Sequence, residues 1–388
     1  MLYDLTEEQE MIRQTVGKLA VDRVTPRAAE IDETAEYPWD ILDILKENAL
    51  MGADVPEEYG GTGSGALALC IIIEELSKAC ATTGLIPAVQ ELGLLPILLG
   101  GSEEQKKKFL PKIASGEHLS ACAITESSAG SDVGGIKTRA VKDGDEYILN
   151  GSKIFITNGG IADIYSLFAK TDPDASKPSK ALSAFIVEKD VPGFTIGKYE
   201  DKLGIRGSKT AELIFEDCRI PAANLLNKEG MGFAVCMKTL DFSRPGIAAQ
   251  ALGIAQGALD YAIGYAKERK QFGKPITTFQ GIQFMMADMT TQVEAARQLL
   301  YKTASLLESQ KKDMSRLPAE VIRFSSMSKN FASDTAMKVT VDAIQILGGY
   351  GYIKEYPVER MMRDAKITQL YEGTNQVQRV VIANTLLG

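Results

Sequence analysis

Residues 369–379 read Gln-Leu-Tyr-Glu-Gly-Thr-Asn-Gln-Val-Gln-Arg and place one carboxylate, Glu372, directly before a glycine and a capping threonine. An amphipathic tail follows, with Val377, Val380, Val381 and Leu386. A carboxylate at such a loop-to-helix junction can point away from the helix into a cleft, while Gly373 lets a ligand approach the backbone closely. The same spelling also suits an acid that merely stabilises a helix start through the dipole. His118 is the only histidine, in the turn-like Ser115-Gly116-Glu117-His118. Ser-His-Asp and Cys-His catalysis and histidine-rich zinc sites are therefore disfavoured, and no metal site is expected. Proton chemistry falls to a carboxylate or to a cofactor.

The chain that must position this acid has 388 residues, which predicts two or three domains. Hydrophobic content of 45% and charged content of 24% describe an ordinary globular protein. A net charge of −8 argues against nucleic-acid binding, and the Lys106-Lys107-Lys108 run reads as a solvated helix face. Five cysteines (Cys70, Cys80, Cys122, Cys218, Cys236) form no CxxC, as expected of reduced thiols. The acidic, helix-like start does not read as a signal peptide. No apolar run is expected to span a membrane, since Pro87, Glu91 and Pro96 interrupt 85–99. A cytoplasmic protein is the expectation.

Three regions follow from the patterns. Residues 1–120 read as an N-terminal helical domain: Thr6 and Gln9 form a capping box, and 40–50, 66–80 and 103–115 repeat at helical spacing. Gly60–Gly65 lacks a preceding strand and the glycine spacing of a dinucleotide loop. Residues 121–228 carry short β-type runs (121–125, 147–149, 154–157, 164–169, 182–187, 212–215) with a hairpin signal at Asp143-Gly144, predicting an antiparallel barrel or sandwich. Residues 229–388 return to longer helices, one of them over 318–346, with a bundle-like period near 3.6. The fold class is α+β in the order α, β, α.

Five segments then come together: Ile124-Thr125-Glu126-Ser127-Ser128-Ala129-Gly130-Ser131-Asp132, Phe155-Ile156-Thr157-Asn158, Arg269-Lys270-Gln271-Phe272-Gly273-Lys274, Gln345-Ile346-Leu347-Gly348-Gly349, and Tyr371-Glu372-Gly373-Thr374. In this order the chain resembles, over essentially its whole length, the acyl-CoA dehydrogenase flavoproteins, most closely the short-chain, butyryl-CoA type. The resemblance implies an N-terminal helical domain, a middle β domain and a C-terminal four-helix bundle. It implies FAD, with Cys122, Ile124, Thr125 and Ser131 in a first flavin loop. Phe155, Ile156 and Thr157 match the second flavin strand, where many members carry tryptophan at Phe155. Arg269, Gln271, Phe272, Phe279 and Gln280 would reach the pyrophosphate of a neighbouring subunit's FAD, and Gln345, Leu347, Gly348 and Gly349 its adenosine diphosphate. Thr374 and Gln376 would be the last flavin contacts. An oligomer, usually a tetramer in the family, follows.

The resemblance further implies that Ser131, Asp241, Arg244, Tyr371 and Gly373 contact an acyl-CoA thioester and that Glu372 removes its α-proton as a hydride leaves the β-carbon for the flavin. Arg244 suits helix anchoring by an ion pair equally well. The usual electron acceptor is an electron-transferring flavoprotein. The reverse reaction, enoyl-CoA reduction, an acyl-CoA oxidase or nitroalkane oxidase-like chemistry, and a FAD-binding scaffold without activity are the alternatives. The main departure is Glu91, where short-chain members usually carry Ser or Thr. It is either turned to solvent or paired with a base, or it enters the acyl cavity as a second acid, base or polar contact. A short, branched or alicyclic (cyclohexanecarboxyl-CoA-like) substrate is expected.

Overall fold

Thr6 opens the first helix through the reciprocal cap expected from the sequence: its hydroxyl accepts from the Gln9 N–H while the Gln9 side chain accepts from the Thr6 N–H. In the computed structural model, which describes residues 5–310 and 317–387, the N-terminal third is made of six α-helices. They are α1 (Glu7–Leu19), α2 (Ala28–Thr34), α3 (Trp39–Glu47), α4 (Ala66–Ala79), α5 (Ala81–Gly100) and α6 (Glu103–Ala114).

Helix α5 corrects one expectation. It runs unbroken through Pro87 and Pro96 and, by length and composition, is apolar enough to cross a membrane. Yet 89% of its most apolar stretch is buried inside the protein, so it is a core helix. Its polar residues are met within that core. The Gln90 amide donates to the carbonyls of Ile113 and His118 and accepts from the Ser120 N–H.

The middle region contains β1 (Ser120–Ala123), β2 (Arg139–Asp143), β3 (Glu146–Thr157), β4 (Ile164–Lys170), the short α7 (Pro178–Ala181), β5 (Leu182–Glu188), β6 (Phe194–Tyr199), β7 (Thr210–Pro221) and β8 (Leu225–Leu226). The strand order is β6-β7-β3-β2-β4-β5-β8, with β1 beside β4. The turn at Gly144 joins β2 to β3 as an antiparallel hairpin, with Asp143 opposite Glu146. The sheet is nevertheless mixed and open, not the antiparallel barrel or sandwich expected. Strand β1 arrives from α6 and pairs parallel with β4, Ser120 against Ile164 through Ala123 against Leu167. The runs at 147–149 and 154–157 prove to be one long strand, bent by register shifts after Leu149 and after Lys153.

The C-terminal region contains α8 (Gly232–Glu268), a two-strand ribbon of β9 (Lys270–Gln271) and β10 (Lys274–Pro275), α9 (Gln280–Glu308), α10 (Ala319–Leu347), α11 (Val358–Thr368) and α12 (Asn375–Leu387). Helices α8, α9 and α10 pack on one another, and α10 also packs on α11 and α12. Pro318 sits at the N-cap of α10, close to the expected start. The Asp241–Arg244 segment lies well inside α8 and not at its start, because the helix begins at Gly232. Polar ties between side chains fasten the first third to the last. The Arg363 guanidinium on α11 grips the Asp32 carboxylate on α2 at 2.6 and 3.0 Å. Glu74 on α4, 0% exposed, accepts from Arg297 and Tyr301 on α9.

Candidate active site

Glu372 lies in the loop between α11 and α12 with φ +52°, and Gly373 follows at φ +87°. A side chain in the left-handed region costs about 1–3 kcal/mol, so the surroundings must hold this turn. The Gln378 amide donates to the carbonyls of Glu372 and Gly373 at 3.1 and 2.9 Å. The Lys329 ammonium, on α10 and 0% exposed, donates to the Gly373 carbonyl at 2.9 Å and to Asn375 Oδ1 at 3.0 Å. The Thr374 hydroxyl accepts from the Val377 N–H at 3.3 Å and caps α12, as its position suggests. The φ of +87° favours glycine at 373, and a Cβ there would also displace the Gln378 amide, whose Nε2 would stand 2.7 Å away.

The Glu372 carboxylate is half-buried, with Oε2 accepting from the Ser243 hydroxyl at 2.5 Å. Burial raises its pKa above the ordinary glutamate value, against the opposing pull of Ser243, Arg244 and Lys329. Beside it the Tyr371 hydroxyl donates to Gln250, whose amide continues to the Ala81 carbonyl at 3.0 Å. Glu372 is thus a restrained carboxylate held in a strained turn, not a solvated helix-start acid.

The segment 122–131 is tied to β3 from beneath. Lys153, 0% exposed, donates to the Ile124 carbonyl at 2.9 Å and to Glu126 at 2.8 Å. Glu126 also accepts from the N–H groups of Lys137 and Thr138 and from the Thr138 hydroxyl. The Ile154 N–H donates to the Thr125 carbonyl at 2.9 Å, so Thr125 and Phe155 are held side by side. Phe155 has φ +58° at the bend of β3 and is 60% exposed. Thr125 and Thr157 are half-buried, Ser131 is exposed, and Ile156 turns into the core and can offer only its backbone. The Cys122 thiol is pushed well up, first by burial and then by Cys236 and the Glu372 carboxylate.

Arg244 is 3% exposed, ion-paired to Asp241 at 2.6 Å and bonded to Ser326, while its Nε has no hydrogen-bond partner among the described residues. Asp241 also lines a cavity of about 830 Å³ with Leu99, Met231, Val235 and Ile322. Glu91 is 7% exposed, which removes the solvent-facing alternative. Its Oε2 lies 3.4 Å from where a Gly246 Cβ would stand. Ser243 and Gly246 are neighbours on one face of α8, so the two carboxylates approach that face within about one helical turn of each other. The void beside Glu91 holds only about 10 Å³ among Leu94, Leu95 and Leu98.

A second cavity of about 490 Å³ brings together Arg269, Gln271, Leu347, Gly348 and Gly349. None of Thr125, Phe155, Thr157 or Glu372 lines it. The Arg269 guanidinium lies 5.1 Å above the Tyr350 ring. A Cβ at Gly348 or Gly349 would meet nothing within 4 Å, leaving their backbone open to a ligand. Phe272, 92% exposed, contacts Phe279 edge-on, and Gln280, Gln345 and Gln376 are exposed. A guanidinium, open glycine amides and an exposed aromatic ring in a separate cleft fit the phosphate and ring portions of a dinucleotide.

Gln250 and Lys329 adjoin the site but carry no motif, and Ser243 and Gln378 lie inside the 241–244 and 369–379 segments without standing out in them. Lys329 shares the helical face of Val321, Ser325, Ala332 and Val339, a core stripe in which a lysine is out of place. That misfit is the signal a sequence reading could have used.

The chain matches the acyl-CoA dehydrogenase N-terminal domain over residues 6–117, the middle domain over 121–218 and the C-terminal domain over 230–387. It is 50% identical to a short-chain-specific acyl-CoA dehydrogenase of Clostridium acetobutylicum over 388 residues, covering 100% of both chains. It is 49% identical to a cyclohex-1-ene-1-carbonyl-CoA dehydrogenase of Syntrophus aciditrophicus, covering 99% of this chain and 91% of the relative. The solved butyryl-CoA dehydrogenase of Megasphaera elsdenii superposes with a TM-score of 0.95 at 46% identity, covering 100% of both chains.

Proposed function

Because the chain belongs to the acyl-CoA dehydrogenase family, whose members are FAD-dependent oxidoreductases, we propose that it oxidises a short, branched or alicyclic acyl-CoA to its enoyl-CoA with Glu372 as the base. The observation that carries this reading is the Glu372 carboxylate, bound by the Ser243 hydroxyl and presented from a φ +52° turn whose backbone Gln378 and Lys329 hold. Glu372 takes the α-proton, and the electron pair left on carbon spreads into the thioester carbonyl. The Glu372 N–H donates to that carbonyl oxygen, a contact worth roughly 3–4 kcal/mol by oxyanion-hole analogy. FAD, when bound, accepts the hydride that leaves the β-carbon.

Thr125, Thr157 and the backbone of 122–131 would hold the flavin ring, with Phe155 on its face. Arg269, Gln271 and the Gly348–Gly349 backbone would hold the phosphates from a neighbouring protomer, which makes the working form an oligomer, a tetramer by family likeness. Asp241, Arg244 and Ser131 would meet the CoA portion. Glu91, buried against the face of α8 that carries Ser243 and Gly246, would close the far end of the acyl site, in keeping with compact acyl groups. The cyclohexene-type relative supports an alicyclic option, and Glu372 supports ordinary α,β-chemistry on it. An electron-transferring flavoprotein is the proposed acceptor.

The test is an anaerobic screen of acyl-CoAs from C4 to C8, with cyclohexanecarboxyl-CoA among them, following loss of flavin absorbance. Bleaching by at least one compact thioester is expected. No bleaching by any of them sinks the assignment.

A further inference from the structure

Two consecutive residues with positive φ, Glu372 and Gly373, form the turn that aims the carboxylate, and one buried cation reaches it from below. Lys329 projects from α10 at the level where α10 packs on α8 and α12. Its ammonium donates to the Gly373 carbonyl and to Asn375 Oδ1. Asn375 is itself fixed, its amide nitrogen donating to Ser333 and Asp334 at 2.9 and 2.8 Å. The ammonium therefore has one fixed anchor and one acceptor inside the strained turn.

We propose that Lys329 is the positioning residue of this site: it pins the Glu372–Gly373 turn through the Gly373 carbonyl and supplies the buried counter-charge for the ionised base. The inference rests on Glu372 being that base. The charged and titratable groups around the pair are few. Arg244 on α8 faces both, Asp334 on α10 faces Lys329, and the thiol of Cys122 on β1 and the phenol of Tyr371 face Glu372. Asp241 balances Arg244 directly, through the 2.6 Å ion pair. Lys329 is thus the cation without a carboxylate bonded to it within that group, and Glu372 is the carboxylate without a cation bonded to it. Burial lowers the Lys329 pKa to about 7, with Glu372 pulling the other way, as expected of a cation sustained by a nearby anion.

Lys329→Met keeps the stem and removes the charge and the donor; Lys329→Gln keeps a donor and removes the charge. With butyryl-CoA and cyclohexanecarboxyl-CoA as probes, both variants are expected to retain FAD, measured by absorbance of the purified protein, and to keep the half-saturating thioester concentration. The limiting rate of flavin bleaching at pH 7 should fall about tenfold or more in Lys329→Met and less in Lys329→Gln. The acid limb of the pH–rate profile should move up by roughly one unit in both. A merely structural lysine would leave that limb in place. Should Met at 329 prevent folding, the Gln variant alone carries the pH test. An unmoved acid limb with a limiting rate within about twofold of the parent overturns the proposal. Glu372→Gln separates the two readings. If it bleaches at the parent rate, the assignment of the base falls and this inference with it. If it is inert while the Lys329 variants behave as the parent, only the role of Lys329 falls.

Discussion

The Ser243 hydroxyl donates to Glu372 Oε2 at 2.5 Å across 129 residues of sequence, joining the middle of α8 to the loop before α12. A hydrogen bond to a carboxylate stabilises its ionised form. Ser243→Ala should therefore raise the Glu372 pKa further and, with Glu372 as the proposed base, slow flavin reduction at pH 7 several-fold, with recovery at higher pH. Stopped-flow bleaching across pH checks this. A uniform loss at every pH would assign Ser243 to packing instead.

The parent enzyme carries its own pH signature. Burial raises the Glu372 pKa, so the folded protein binds that proton more tightly than the unfolded chain does. Its contribution to stability is fully present below the ordinary glutamate range and is lost as pH rises through the raised value, while catalysis needs the ionised form. Bleaching should fall on acidification with a midpoint above the ordinary glutamate value of 4.5. Glu372→Gln should fold, keep FAD and lose dehydrogenation, and a rate near that of the parent would count decisively against the base.

Gly373→Ala meets both obstacles at once, a φ of +87° and a Cβ 2.7 Å from Gln378 Nε2. The turn must shift to accept it, at a cost of about 1–3 kcal/mol. Flavin content should survive and the limiting rate should drop by two orders of magnitude or so, since a misplacement of about 1 Å has that effect. Thermal unfolding and bleaching, measured together, distinguish this from global loss of structure.

Glu126 and Lys153 form a buried pair under the Ile124-Thr125 backbone. Burial lowers the Lys153 pKa to about 8 in spite of Glu126. Glu126→Gln leaves that ammonium with neutral acceptors, and breaking one side of such a pair costs about 3–5 kcal/mol. A lower unfolding midpoint and weaker FAD retention are expected. Glu126→Gln with Lys153→Met should recover part of the stability but not the FAD, because the tie to the Ile124 carbonyl is gone.

If Glu91 closes the acyl site as proposed, Glu91→Ala should open space there. The screen should then shift toward longer acyl chains, with C8 gaining relative to C4 by about tenfold, the worth of one or two methylenes in an apolar pocket. An unchanged profile would place Glu91 outside the acyl site.

The sequence is most legible where local chemistry decides structure. The Thr6 cap, the Gly144 turn and the Thr374 cap all depend on residues within a few positions, and each lies where the pattern predicts it. The parallel pairing of β1 with β4 and the single long β3 depend on partners far along the chain, which periodicity does not encode. Helix α5 was obscured for a related reason: tertiary burial outweighs the prolines that read as breaks. In the site, Glu372 was legible because glycine and threonine flank it. Ser243 and Lys329 were not, because their meaning comes only from the turn that other helices bring to them.

The grip of Arg363 on Asp32 joins residues 331 positions apart. During synthesis, Asp32 leaves the ribosome long before its partner exists, and α2 waits with that tie unmade until α11 emerges. A ribosome that stalls before residue 363 thus leaves a chain whose first hundred residues lack one of their fastenings, so codons more than three hundred positions downstream govern how safely that segment is held.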